Sequence, residues 1–147
     1  MAIMDAKPYD ESRDKRRRVV VAFIALAIII AGLLWWHFRF WPEEHAANKF
    51  FIALEQKNYE GAYALWMADP QWKQHPQNYA RYPFASFYQD WGPPGDYGTI
   101  TSHKVVDASN PETGAGSGVI VSVQINHRPV VAKIWVEKEN KSMSFPP

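Results

Sequence analysis

The chain has 147 residues, 47% hydrophobic and 15% aromatic, with a formal net charge of +1 and no cysteine. That length carries one ordinary domain plus a further element, and the missing thiols exclude disulfides, thiolate metal sites and cysteine nucleophiles. Charge is uneven: residues 1–18 hold six basic and four acidic groups, whereas from Pro42 onward nine Lys or Arg face eleven Asp or Glu, with no basic stripe to neutralise nucleic-acid phosphates.

The first element is apolar without interruption. Residues 19–36 read VVVAFIALAIIIAGLLWW, with eleven Val, Ile, Leu or Phe between Val19 and Leu34. At about −0.3 to −0.6 kcal/mol each on an insertion scale, these side chains favour a bilayer by several kcal/mol. The pattern predicts a transmembrane helix from about Val19 to about Phe38, behind a basic tail over residues 1–18 and within a membrane segment over 19–40. Arg16, Arg17 and Arg18 abut one end, and Trp35, Trp36 and Trp41 crowd the other. The first group is a positive-inside signature and the second an interfacial aromatic belt. Both place the N-terminus in the cytoplasm and residues 41–147 outside it, in the periplasm if the membrane is a bacterial inner one. A cleaved leader needs small residues after the apolar run; WWHFRFWPEE stands there instead, so the segment reads as a signal anchor. Residues 19–36 carry no acid, histidine or cation that would suggest ion conduction; His37 and Arg39 follow at the aromatic end.

After Pro42 the pattern becomes periodic. Ala46, Ala47, Phe50, Phe51 and Leu54 recur at helical spacing, with Glu43 and Glu44 suited to the first turn. Asn58 is placed to cap a second helix whose face is Tyr59, Ala62, Tyr63, Trp66 and Met67, and Asp69-Pro70 ends it. Residues 71–82 predict a helical turn and loop. Phe84, Phe87, Tyr88 and Trp91 predict a short third helix over about 83–90. The period then changes from helical to alternating. Strands are expected over 98–107, 118–126, 129–137 and, briefly, 143–145, joined by Gly- and Asn-rich turns. Helices followed by sequential short-linked strands define an α+β domain of about three helices packed on a curved antiparallel sheet of three to four strands.

The phrases AANKFFIALEQKNYEGAYALW (46–66), FASFYQDWG (84–92) and KIWVEKENKSMSFPP (133–147) resemble the cone-shaped superfamily of nuclear transport factor 2 and ketosteroid isomerase. Tyr59, Ala62, Tyr63 and Leu65 match that family's passage into its second helix. The resemblance covers about residues 43–147 and implies helices closing over the sheet's inner face. It also implies an interior that in some relatives holds ligand or catalytic groups. None of Tyr63, Tyr88, Asp90 or Asp107 aligns with a family catalytic position. A short tail, one membrane helix and a cone domain are also the architecture of bridging components of type IV secretion machines, although this chain is shorter.

The glycines at 114, 116 and 118 lie between two strands and so lack the following helix a phosphate loop requires. His37, His45, His75, His103 and His127 form no metal-ligand spacing. His103 and Asp107, at i and i+4 of a strand, would share one face and so offer a base and its orienter; the competing reading is a solvent face shared with Thr99 and Thr101. Asn140-Lys141-Ser142 is a glycosylation sequon by pattern alone. Aromatic density is the outstanding feature. Trp72, Tyr79, Tyr82, Tyr88, Trp91 and Tyr97 are candidate partner or ligand contacts, or else a cluster covering the helices. The sequence therefore reads as a non-enzymatic, membrane-anchored accessory or scaffold subunit without cofactor or metal. Its partners are the lipid bilayer and other membrane subunits. A module for a small apolar ligand or lipid is the second reading, and an enzyme using His103 and Asp107 the third.

Overall fold

The computed structural model describes residues 11–114 and 116–147; residues 1–10 of the predicted 1–18 tail and Ala115 of the glycine loop lie outside them. The chain forms two compact units that divide between Arg39 and Phe40. The first contains one helix, α1 (Glu11–Phe38), with no buried residue. It already includes the eight residues before the apolar run, with Glu11 and Asp14 among them. Over an 18-residue window its mean hydropathy is 2.8, and the helix is long and apolar enough to cross a membrane.

The second unit is an α+β domain. Its helices are α2 (Trp41–Glu55), α3 (Tyr59–Met67) and α4 (Phe84–Trp91), with two short 3-10 turns at Trp72–Gln74 and Pro76–Tyr79. The strands β1 (His103–Ser109), β2 (Gly118–Ile125), β3 (Val131–Glu137) and β4 (Met143–Ser144) form an antiparallel sheet in the order β1-β2-β3-β4. Local chemistry sets the ends of these elements. The Asn58 carboxamide oxygen accepts the Gly61 amide at 3.0 Å, capping α3. A Cβ at Gly61 would lie 2.3 Å from the Asn58 side chain, so the cap requires glycine there. Asn126 and His127, both at positive φ, form a tight turn closed by the Arg128 amide on the Ile125 carbonyl, at the start of the five-residue connection from β2 to β3.

One core joins the two layers. Ala47, Phe50, Phe51 and Leu54 of α2 are buried at i, i+3, i+4 and i+7 spacing, with Ala62, Tyr63 and Trp66 of α3 and Phe87 and Trp91 of α4. The sheet contributes Val119, Val121, Val123 and Ile125 from one face of β2, and Ala132, Ile134 and Val136 from β3. Phe50 is the hub, with ring centroids 5.2 Å from Trp66, 6.0 Å from Phe87 and 5.3 Å from Trp91. Such aromatic pairs add about 0.5–1.5 kcal/mol each to the area they bury.

The alternation expected along β1 fails at its centre. Val105 pairs with Val123 and Asp107 with Ser122, so Val106 is an inserted bulge residue. The extra residue shifts the side-chain period by one. His103, Val105 and Ala108 are therefore half-buried while Val106 and Asp107 are exposed. His103 and Asp107 do not share a face.

Candidate functional site

His103 is held by α2. Its Nδ1 bonds Glu55, its Nε2 lies 2.7 Å from Asn48 Oδ1, and its ring stacks on Phe51 at 5.4 Å between centroids. The side chain is only 8% exposed. With both ring nitrogens engaged by structural partners and Asp107 exposed, the base-and-orienter pair of the third reading is not assembled, and His103 is not on a solvent face either. The imidazole instead ties β1 to α2.

The six aromatic contact candidates are not displayed either. Trp91 is buried and Trp72, Tyr79, Tyr82, Tyr88 and Tyr97 are half-buried. Trp72 meets Tyr63 edge-on at 4.7 Å and stacks on Phe84 at 5.3 Å. Tyr88 meets Tyr59 at 5.0 Å. Trp91 is sandwiched between Tyr97 at 5.9 Å and Phe145 at 6.0 Å, nearly parallel to both. The loop rings cover the helices because a small domain gains more from burying such large surfaces than from exposing them. Among the described residues, the Trp91 indole nitrogen is a buried polar atom without a hydrogen-bond partner.

The loop between α3 and α4 is tied down by polar groups as well. Asp69 Oδ2 accepts the Tyr79 hydroxyl at 2.6 Å and lies 2.5 Å from His75 Nε2, while Oδ1 accepts the Gln71 amide at 2.8 Å. The Tyr79 hydrogen bond holds the Asp69 carboxyl below its usual range, helped by Gln71 and His75, and the same bond pushes the Tyr79 phenol up to about 12. The Tyr82 hydroxyl donates to Asp90 at 2.7 Å, and burial together with that carboxylate raises its pKa. His75 is thus part of a loop latch. A second latch centres on Asn126. Its carboxamide oxygen accepts the Thr101 amide at 2.8 Å, and its nitrogen donates to the Thr99 carbonyl at 3.0 Å.

What the domain leaves open is a groove of about 550 Å³ between the outer sides of α2 and α3. Ala46, Ala64, Leu65, Ala68 and Met143 form its apolar surface, and Trp41 and Pro42 stand at the start of α2. His45, Lys49 and Lys141 supply the basic groups, and no carboxylate lines it among the described residues. Beneath Lys141 lies Glu43, 5% exposed, whose Oε1 accepts from the ammonium at 3.0 Å. The sequence suggested Glu43 only as a dipole partner; its mate is 98 residues away.

Arg16, Arg17 and Arg18 are exposed on α1, and Trp35 and Trp36 are 72% and 62% exposed near its end. The Arg39 guanidinium covers the Trp36 ring at 3.5 Å. Trp41 is 52% exposed and stacks on His45 at 4.9 Å. No group of three His, Cys, Asp or Glu suited to a metal ion occurs among the described residues. No family model, curated protein or solved structure matches this chain.

Proposed function

We propose that the chain is a single-pass membrane-anchored, non-enzymatic accessory or scaffold subunit of a larger membrane complex. Its N-terminus is cytoplasmic and residues 41–147 form an extracytoplasmic domain, in the periplasm of a bacterial inner-membrane protein. The supporting observation is the contrast inside one chain. Over residues 19–36, α1 is apolar on every side and it buries nothing, whereas the domain packs most of its aromatics internally and ties His103 to Glu55 and His75 to Asp69. A helix of that kind requires an apolar surrounding. The cluster Lys15–Arg18 at its start, opposite the tryptophans at its end, favours the stated orientation.

A domain whose polar groups mainly hold its own elements together suits a rigid contact surface better than a reaction centre. The order of helices and strands is consistent with descent from the cone-shaped superfamily, and that kinship is part of the proposal. Affinity purification of the tagged full-length protein in a mild detergent, followed by mass spectrometry, tests the reading. A stoichiometric set of membrane proteins is expected; a monomer that brings nothing with it contradicts the scaffold.

A further inference from the structure

We infer that the groove between α2 and α3 holds one acyl chain of an anionic phospholipid, with the headgroup at Lys49, His45 and Lys141. The inference rests on the membrane-anchor reading but not on the existence of protein partners. Small side chains at Ala46, Ala64 and Ala68 leave the depression, and Leu65 and Met143 make it apolar. Its 550 Å³ falls in the range of about 300–1,000 Å³ that accepts a molecule of drug size, which suits one chain of a lipid rather than two.

Charge selects the headgroup. Two lysines and a histidine line the groove without a carboxylate among the described residues, and Glu43, which Lys141 meets, is itself buried. Lys141 donates to Glu43 and to the Lys138 carbonyl; an ammonium has three donors, so one is left for a phosphate. Lys49 has no hydrogen bond or ion pair among the described residues, and its aliphatic stem can lie along the apolar wall with the charge outermost. Trp41 follows the last residue of α1 by three positions, a length of chain that spans at most about 11 Å. If α1 ends at the membrane surface, that end of the groove lies within reach of the headgroup layer, where Trp is at home.

The test uses the full-length protein in a non-denaturing detergent. Phosphatidylglycerol or phosphatidylcholine is added, and binding is read by native mass spectrometry. One retained phosphatidylglycerol per chain, favoured over phosphatidylcholine, is expected. Lys49→Gln should weaken it about fivefold, the effect of one cation beside an anionic lipid, and Ala64→Phe should abolish it by filling the groove. Circular dichroism checks that both variants keep their fold. Lys49→Gln removes only an exposed side chain, so it decides the matter even if Ala64→Phe unfolds. Equal retention of both lipids, or retention indifferent to Lys49→Gln, overturns the site and leaves only lipid around α1. Loss of protein partners in these variants with lipid retained would overturn the lipid site while keeping the scaffold. Selective lipid binding by a protein without partners would do the reverse.

Discussion

Helices α1 and α2 follow one another after two residues and are both rich in apolar side chains, yet they answer to different solvents. From Val19 to Phe38, α1 leaves every side chain exposed. In α2, Ala47, Phe50, Phe51 and Leu54 are buried while Trp41, His45 and Lys49 stay out. What separates them is where the apolar residues fall along the helix rather than how many there are. A stripe repeating at i, i+3, i+4 and i+7 meets a sheet, and an apolar surface without a stripe needs an apolar surrounding on every side.

The largest effect expected from this contrast is on folding of the domain. Trp66→Ala or Phe50→Ala should each cost about 3–5 kcal/mol, as large aromatic truncations in packed cores do. Ile29→Ala on α1 should leave the domain's denaturant midpoint unchanged. Chemical denaturation of the full-length protein in detergent, followed by circular dichroism at wavelengths reporting the sheet, makes the comparison; an equal loss from Ile29→Ala would break it.

Lys141→Ala comes next. It strands Glu43, a buried carboxylate, and should cost about 2 kcal/mol, most of it regained in the double variant with Glu43→Gln. Additive losses in the double-mutant cycle would show that the pair is not coupled. Asn58→Ala, which removes the cap of α3, should cost about 1 kcal/mol in the same assay.

The smallest effects are those of pH, and they should be confined to the domain. The Asp69 carboxyl is held below its ordinary 3.8, so its contribution is present above that value and is lost as pH falls through the lowered one. For Tyr79 the neutral form is favoured. Its contribution is complete below about pH 10 and is lost as pH rises toward about 12. Near-ultraviolet circular dichroism across both limits should show these transitions, with Asp69→Asn removing the acidic one and shrinking the alkaline one. An unchanged profile in Asp69→Asn would detach the loop from this cluster.

Much of this architecture can be read from local pattern. The cap at Asn58, the stop at Asp69-Pro70 and the alternation Val119, Val121, Val123 and Ile125 depend on neighbours a few residues away, and sequence displays those directly. The bulge at Val106 does not announce itself, because Val105 and Val106 are equally good strand residues and only the register with β2 distinguishes them. Pairings such as Glu43 with Lys141, or His103 with Glu55 and Asn48, join positions that nothing local relates. The loop aromatics left contact and covering roles equally open for a related reason. Pro-rich connections suggest exposure, whereas Trp72, Tyr82 and Tyr97 fold back onto rings elsewhere. The groove was hidden by its own composition, since alanines at 46, 64 and 68 look neutral until two helices set them side by side. The arginines at 16–18 and the tryptophans at 35, 36 and 41 stand out in the sequence because each group is contiguous or nearly so.

The central claim, one helix in the membrane with the domain outside, can be tested through the absence of cysteine. Single variants Lys15→Cys and Ser109→Cys place one thiol at each exposed end of the arrangement. In intact cells, a membrane-impermeant maleimide should label Ser109→Cys and leave Lys15→Cys unlabelled until the membrane is opened. Labelling of Lys15→Cys from outside, or protection of Ser109→Cys in a folded protein, would contradict the account.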